Sequence, residues 1–193
     1  MIFEQLFDQK SSTYTYIIAS GEGREALIID PVIEHSDEYS TILKNLDLKL
    51  VKVIDTHIHA DHISALNELN KRTNCIRVMG EKSKSEVIDL RIKDGEKINV
   101  EEVELQAIYT PGHTDCSYSF LMNDRVFTGD TLLINGSGRT DFQNGNAYDA
   151  YDSIFNKLLK LPEKTFVFPA HDYNGKKFST IENEKNNNPR LQV

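Results

Sequence analysis

The chain has 193 residues and a formal net charge of -8, and 39% of its residues are hydrophobic. This length fits one well-filled domain, 1–193, and no Pro-, Gly- or Ser-rich linker divides it. Because an acidic chain repels nucleic acid and anionic membrane surfaces, these are excluded as expected partners, and a small-molecule substrate is favoured.

The N-terminal sequence and the cysteines indicate the cellular compartment. The first residues lack a basic segment followed by an apolar core, and no stretch is long enough to span a bilayer. The two cysteines, Cys75 and Cys116, form no CxxC motif or disulfide framework, which is typical of a reducing compartment. We therefore predict a protein without a membrane segment that is cytoplasmic, unless a transit peptide has been removed from it. We expect Cys75 to be a packed thiol, and for Cys116, close to His113 in sequence, we favour packing over catalysis.

Strands and helices alternate along the first part of the chain. The turn signal Ser20-Gly21-Glu22-Gly23 separates the first two predicted strands. A helix is also predicted to begin at Asp61 or His62, because apolar residues follow it at helical spacing. The full prediction for this part, in chain order, is strands at 14–19 and 26–30, a helix at 37–46, a strand at 50–54, that second helix, and a strand at 76–79.

The remaining pattern completes an α/β protein. A hairpin through Asn123-Asp124 is predicted to join two of the later strands, and the Asn-rich stretch 182–188 is predicted to be a solvated turn or fraying tail. The predicted elements are strands at 103–109, 118–122, 126–128 and 165–168, and a helix at 147–160. Strands in two groups with interspersed helices indicate two sheets covered by outer helices.

The segment 56–62, THIHADH, is the strongest chemical signal. His57, His59, Asp61 and His62 follow directly on the predicted strand at 50–54, where an α/β sheet usually places its site. Imidazole and carboxylate donors suit zinc, iron or manganese, and a cluster without thiolate argues against a closed structural zinc site. The alternative is a run of surface histidines beside a helix cap, which we disfavour because further histidine motifs follow downstream.

Three later residues extend the candidate metal site. His113, in the Pro-Gly-His-Thr turn after the strand at 103–109, is favoured as a ligand over an ordinary turn histidine. Asp130 follows Thr128-Gly129 and is favoured as a carboxylate ligand over a common turn residue. His171 follows the strand at 165–168. Two roles are equally expected for it: binding a second metal, or supporting the pocket through hydrogen bonds. His35 has no such company and is assigned to the surface or to a helix cap.

The ordered set HxHxDH, PGHT, TGD and PAHDY resembles the metallo-β-lactamase superfamily over nearly the whole chain. The resemblance implies an αββα sandwich of two mixed β-sheets flanked by helices, with metal at one sheet edge. The stretches 136–145, 169–175 and 188–191 are similar to the persulfide dioxygenase subfamily. That similarity implies one Fe(II) per chain on His57, His113 and Asp130, and oxidation of glutathione persulfide by O₂ to sulfite and glutathione.

The same resemblance implies where the substrate binds. Arg139 and Arg190 are candidates for neutralising the glutathione carboxylates, and Tyr173 for a hydrogen bond to its peptide. Ordinary surface pairing is the alternative for both arginines. A homodimer is a further expectation, with Phe3, Phe7 and other exposed aromatic residues as candidates for its surface.

Two other functions remain open at this point. A thioesterase of the glyoxalase II type would use Zn(II) or a mixed dinuclear site, with one metal on His57, His59 and His113 and the other on Asp61, His62 and His171, bridged by Asp130. The end of the sequence at Val193 argues against it, because no room remains for the C-terminal helical domain of that type. A non-enzymatic metal-binding regulator is disfavoured because every expected ligand is present.

Overall fold

The computed structural model describes residues 1–192, in which two six-stranded β-sheets pack face to face. All strands of the first sheet come from the first half of the chain, in sequential order. β1 to β3 run antiparallel and β3 to β6 run parallel, with helical crossovers between β3 and β4 and between β4 and β5. The strands are β1 (Ile2–Asp8), β2 (Thr13–Ala19), β3 (Glu25–Ile29), β4 (Lys49–Ile54), β5 (Ile76–Gly80) and β6 (Leu90–Ile92), and the crossover helices are α1 (Ser36–Asn45) and α2 (Leu66–Thr73).

The second sheet takes its strands from the second half of the chain. Its strands are β7 (Lys97–Val100), β8 (Val103–Tyr109), β9 (Tyr118–Met122), β10 (Arg125–Gly129), β13 (Phe166–Pro169) and β14 (Ser179–Thr180), in the order β14-β13-β10-β9-β8-β7. β10 and β13 are parallel neighbours. The chain between them forms the small hairpin β11 (Leu132–Leu133) and β12 (Gly136–Ser137) and then the helix α3 (residues 147–160).

Helices cover the outer face of the second sheet as well. α3 begins as an α-helix at Ala147–Tyr151, continues as a π-helix over Asp152–Lys157 and ends in a 3₁₀ turn at Leu158–Lys160. The last helix, α4, spans Ile181–Asn187. Asn146 caps α3 by accepting hydrogen bonds from two backbone N–H groups of its first turn, and Thr180 caps α4 in the same way with one.

Three hydrophobic clusters fill the spaces between these four layers. The central one lies between the sheets and includes fully buried residues of both, such as Leu27, Ile54, Leu105 and Phe120. Alternate residues of the first sheet point outward to α1 and α2, and those of the second sheet point outward to α3 and α4. This is the αββα sandwich of two mixed sheets that the sequence predicted.

Most predicted elements are confirmed within a few residues. The hairpin through Asn123-Asp124 is present as β9 and β10, and the helix predicted at 147–160 has those bounds, with a π turn in its middle. The sequence analysis did not predict the strands β1, β6 and β7 or the short strands β11, β12 and β14. These are short, lie at an edge of a sheet, or both, so their hydrophobic alternation is weak.

The prediction that a helix begins at Asp61 or His62 was wrong, since α2 begins at Leu66. The backbone just before it is paired elsewhere: Ile33 N–H donates to the Ile63 carbonyl at 2.9 Å, and Ala65 N–H donates to the Pro31 carbonyl at 2.8 Å. These bonds hold the segment extended beside residues 31–33, so Asp61 and His62 lie in an irregular loop.

The prediction of a fraying tail at 182–188 was also wrong. This stretch forms most of α4, and Glu184 and Asn188 in it are completely buried. The expectation that Phe3 is an exposed aromatic residue was wrong too, because its ring packs on Tyr16 and Phe168 between the sheets. Phe7 is 42% exposed, and the homodimer itself stays a prediction.

The two thiols are both buried and free, as expected of a packed Cys75. The sulfur of Cys116 lies 3.4 Å from the Thr114 hydroxyl. Within the described part of the chain, no helix has the length and apolar character needed to cross a membrane.

Candidate metal centre

His57 lies in the loop that follows β4 and is 1% exposed. Its Nδ1 is 2.9 Å from the Thr56 hydroxyl, which itself donates to Asp30 at 2.9 Å. Because the hydroxyl hydrogen is used on Asp30, the oxygen accepts from His57 Nδ1–H, which leaves the lone pair on Nε2. Burial lowers the pKa of His57 to about 3, so the ring is neutral and able to bind a metal at neutral pH.

His113 follows β8 in the turn 110–114. Its Nδ1 lies 2.9 Å from the backbone carbonyl oxygen of Arg139. A carbonyl can only accept, so Nδ1 carries the hydrogen and Nε2 is again the nitrogen with a free lone pair. Two histidines from different sheets are thus held in the same tautomer by hydrogen bonds at their far nitrogens, as is usual for metal-binding histidines.

Asp130 completes the group at the end of β10. Its Oδ2 lies 3.8 Å from His57 Nε2 and 3.5 Å from His113 Nε2, while its Oδ1 accepts from His171 Nδ1 at 2.6 Å. Burial opposes ionisation, but the hydrogen bond from His171 and the neighbouring imidazoles hold the pKa of Asp130 well below its usual range. The carboxylate is therefore ionised, with one oxygen fixed and the other directed at the two histidines.

The three predicted ligands converge on one point. One ligand atom each of His57, His113 and Asp130 lies within 4.8 Å of the others. Two neutral imidazole nitrogens and one carboxylate oxygen fit a divalent transition metal with several coordination positions left free.

Asp61 and His171 form a hydrogen-bonded support beside this group. Asp61 Oδ2 lies 2.9 Å from both His171 Nε2 and His62 Nδ1. Burial alone would lower the pKa of His171, but hydrogen bonds to Asp130 and Asp61 raise this pKa to about 10. The Thr13 hydroxyl, completely buried at the start of β2, lies 3.1 Å from both His171 Nε2 and Asp61 Oδ2. Both ring nitrogens of His171 are therefore hydrogen-bonded to carboxylates, Nδ1 to Asp130 and Nε2 to Asp61.

His59 and His62 each keep one buried nitrogen without a hydrogen-bond partner among residues 1–192. For His59 this is Nδ1, since its Nε2 lies 3.1 Å from Asp30, and for His62 it is Nε2. Ligand atoms of His59, Asp61 and His62 also lie within 4.8 Å of one another. A second group of potential donors therefore adjoins the first.

The loop 134–139, which includes the short strand β12, borders the site on the side of the second sheet. Gly138 N–H donates to the Asp130 carbonyl at 2.9 Å, and the next residue supplies the carbonyl that holds His113. From the sequence, this stretch was recognised only by its family resemblance. The supporting roles of Thr13, Asp30 and Thr56 were not predicted: Thr13 and Asp30 lie far from the histidine motifs in sequence, and no spacing indicates that Thr56, next to His57, orients that ring.

Two of the three predicted substrate residues, Arg139 and Tyr173, line a cavity beside the predicted metal ligands. A cavity of about 250 Å³ is lined by His113, Asp130, Arg139, Tyr173 and neighbouring residues of the loops. Arg139 is held by Asp141 at 2.7 and 3.0 Å, and its guanidinium lies 5.7 Å from the centre of the Phe142 ring. Tyr173 is 71% exposed and its ring stacks on His171 with centroids 6.0 Å apart.

Arg190 lines the adjoining cavity of about 390 Å³, which shares His171 and Tyr173 with the smaller one. The structure therefore brings Arg139 and Tyr173 to the metal cavity and leaves Arg190 one cavity away, on the other side of Tyr173.

Comparisons of sequence and structure with known proteins agree with a metal site in this chain. A profile of the metallo-beta-lactamase superfamily matches residues 9–89 and 80–171. Mitochondrial persulfide dioxygenase ETHE1 of Mus musculus is 42% identical over 196 residues, covering 100% of this chain and 77% of that protein. The crystal structure of ETHE1 from Myxococcus xanthus superposes with a TM-score of 0.96 at 48% identity, covering 99% of this chain and 84% of that one. Hydroxyacylglutathione hydrolase of Dictyostelium discoideum is more distant, 29% identical over 185 residues that cover 90% of this chain and 68% of that protein.

Proposed function

Because this chain belongs to the metallo-β-lactamase superfamily, we propose that its site works as that of an Fe(II)-dependent persulfide dioxygenase with glutathione persulfide as substrate. The chain is an enzyme of the persulfide dioxygenase type, as its full-length similarity to such enzymes shows. One observation of the structure supports the choice of metal: the convergence of His57 Nε2, His113 Nε2 and an Asp130 oxygen in the two-His-one-carboxylate arrangement typical of oxygen-activating iron.

The balanced reaction is GSSH + O₂ + H₂O → GSH + SO₃²⁻ + 2H⁺. The outer sulfur is oxidised to sulfite, O₂ takes up the electrons, and the sulfur–sulfur bond breaks to leave the thiol on glutathione. When bound, Fe(II) would bring the sulfur and the dioxygen together and carry electrons between them.

The protein's own part is to orient three donors and hold their charge. Thr56 fixes the tautomer of His57, the Arg139 carbonyl fixes that of His113, and His171 fixes the orientation of Asp130. None of the three ligands has to rotate or lose a proton when the metal binds, so little reorganisation opposes binding.

Arg139, Tyr173 and Arg190 are the proposed contacts for glutathione. Arg139 lines the cavity beside the proposed metal ligands, and its side chain is 64% exposed while paired with Asp141. A substrate carboxylate would compete with Asp141 for this planar group. Arg190 lines the adjoining cavity together with Tyr173, and we propose that it binds the other end of an extended peptide. The cytoplasmic location and the homodimer remain predictions.

The second candidate is a hydrolase of the glyoxalase II type with Zn(II) or a mixed dinuclear site. The observation that favours it is the pair of buried, unpartnered nitrogens on His59 and His62 beside Asp61. Against it, both nitrogens of His171 are already hydrogen-bonded to carboxylates, and the hydroxyacylglutathione hydrolases are the more distant relatives.

Metal analysis and two parallel assays test this proposal. Protein loaded anaerobically with Fe(II) is expected to hold about one iron per chain and to consume O₂ and form sulfite when glutathione persulfide is added. His57→Ala and Asp130→Ala are expected to lose the iron and more than about a hundredfold of the turnover. His62→Gln is expected to keep the iron.

The same samples are given S-lactoylglutathione. Two metals per chain, with thioester hydrolysis and no persulfide-dependent O₂ uptake, would move the protein to the hydrolase class. Full iron occupancy in His57→Ala would contradict the assigned ligands.

A further inference from the structure

Glu184 on α4 is a carboxylate with no exposed surface and no charge partner. Its residue is 0% exposed, and it takes part in no ion pair within residues 1–192. A buried carboxylate of this kind is costly unless hydrogen bonds satisfy both oxygens.

Four donors satisfy the two oxygens of Glu184. Oε1 accepts from the Ser179 hydroxyl and from Asn183 Nδ2 at 3.2 Å. Oε2 accepts from the Asn135 backbone N–H at 2.9 Å and from Asn188 Nδ2 at 2.7 Å. Asn135 lies 49 residues away in sequence, so one of the four hydrogen bonds connects Glu184 to another part of the fold.

Asn188, at the C-terminal end of α4, makes a second connection to the same place. Its Nδ2 also donates to the Gly136 carbonyl at 3.0 Å, and the residue is 0% exposed. Asn135 has a φ of 56°, a left-handed conformation that needs such support. Glu184 and Asn188 therefore clamp two consecutive residues of the loop 134–139.

That loop is the one that touches the metal ligands. Two residues after Gly136, the Gly138 N–H donates to the Asp130 carbonyl, and the Arg139 carbonyl accepts from His113 Nδ1. The loop thus lies between α4 on one side and two of the three proposed ligands on the other.

We propose that Glu184 and Asn188 are positioning residues for the metal site, which set the loop 134–139 so that the Arg139 carbonyl holds His113 in its metal-binding tautomer. The proposal rests on the proposed metal site and adds to it two residues that touch neither metal nor substrate. It also explains why a carboxylate is buried at position 184, since an apolar side chain would pack there at a lower free-energy cost.

Two substitutions separate this role from a contribution to folding. Glu184→Gln keeps the size but replaces one accepting oxygen by a donating amide, so one of the two donor pairs loses its acceptor. Asn188→Ala removes the amide that holds the Gly136 carbonyl. The matched controls are Glu182→Gln and Asn186→Ala, at exposed positions of the same helix.

The measurements use neither persulfide nor O₂. The first is anaerobic Fe(II) affinity, determined by chelator competition at a temperature where each variant is folded. The second is the tautomer of His113 in metal-free protein, read from the imidazole ¹⁵N shifts. We expect about tenfold weaker Fe(II) binding in Glu184→Gln and in Asn188→Ala, loss of the single Nδ1–H tautomer, and wild-type values in both controls.

A lower melting temperature with unchanged Fe(II) affinity and an unchanged His113 tautomer in both variants would overturn the proposal and leave a structural role alone. If the wild-type protein binds iron but shows no persulfide-dependent O₂ uptake, the proposed function fails while this result stands. The two failures are therefore distinguishable.

Discussion

At the scale of single residues, Gly138 packs directly against two of the proposed ligands. A Cβ at this position would lie 2.1 Å from the Asp130 carbonyl oxygen and 2.9 Å from His113 Nδ1. Both neighbours are parts of metal ligands, one of them backbone, so neither can move without moving the site.

We predict that Gly138→Ala binds Fe(II) at least about tenfold more weakly than wild type, because the methyl group displaces Asp130 and His113. Gly136→Ala in the same loop is the control, since its nearest contact is an ordinary 3.7 Å. Iron titration followed by metal analysis compares the two. Equal affinity in Gly138→Ala and wild type would show that the loop can retreat from the ligands without cost.

At the residue scale, the histidine motif was recognisable in the sequence but the hydroxyl beside it was not. His57, His59, Asp61 and His62 lie within a single short motif, whereas Thr13, whose hydroxyl lies beside His171, is 158 residues away from that histidine. A threonine or serine has many uses in a fold, so only the folded chain shows which hydroxyl completes the site.

At the scale of elements, β1 is tied to α1 by an ion pair. Asp8, the last residue of β1, lies 3.0 Å from His35 Nε2, and Glu38 lies 2.8 Å from His35 Nδ1. The hydrogen bond to Asp8 outweighs partial burial and raises the pKa of His35 above 6.5. The pKa of Asp8 is lowered, because hydrogen bonds from Ser11 and His35 outweigh burial.

The sign of the pH dependence follows from these directions. A histidine whose pKa rises on folding stabilises the protein fully below its unfolded pKa, and this stabilisation is lost as pH rises through the folded pKa. The contribution of Asp8 has the opposite sense and is lost only in acid, below its unfolded value of 3.8.

We therefore predict that His35→Gln lowers the free energy of unfolding by about 1 kcal/mol near pH 5.5 and by less near pH 8.5. Urea unfolding at the two pH values measures the difference, with Glu34→Gln at the neighbouring exposed position as the control. An equal loss of unfolding free energy at both pH values would mean that the charge on His35 does not contribute to stability.

Elements were predictable where one hydrophobic period extended over several residues. β8 and β9 were predicted at their observed bounds because their inner residues alternate against the central core. α4 was missed because its sequence is polar: only Ile181 and Glu184 are buried within it, and burial of Glu184 depends on hydrogen bonds that no periodicity records. The start of α2 was misplaced because backbone bonds to residues 31–33 compete with the helix.

At the scale of the whole molecule, the interface between the two sheets is the main apolar contact. Phe120 on β9 is fully buried there, in the same cluster as Phe127 and Phe168 of neighbouring strands. The two-sheet architecture was predictable from the grouping of strands, while the pairing of β10 with β13 was not, since a hairpin and a helix separate them in sequence.

We predict that Phe120→Ala lowers the free energy of unfolding by about 3 to 5 kcal/mol, through lost burial and the cavity it leaves between the sheets. Tyr148→Ala, at a position 87% exposed, is expected to change it by less than about 0.5 kcal/mol. Denaturant unfolding at one pH measures both. A loss below about 1 kcal/mol for Phe120→Ala would mean that the sheets repack around the missing ring.

The division of strands between the two sheets also matters while the chain is being made. β1 to β6 end at Ile92 and β7 begins at Lys97, so the first sheet emerges from the ribosome before the strands of the second sheet do. During that interval its inner face, with Tyr16, Leu27 and Ile54, has nothing to pack against, and His113 and Asp130 have not yet emerged to join His57. We expect the nascent chain to be most prone to aggregation, and most dependent on chaperones, in that period of synthesis.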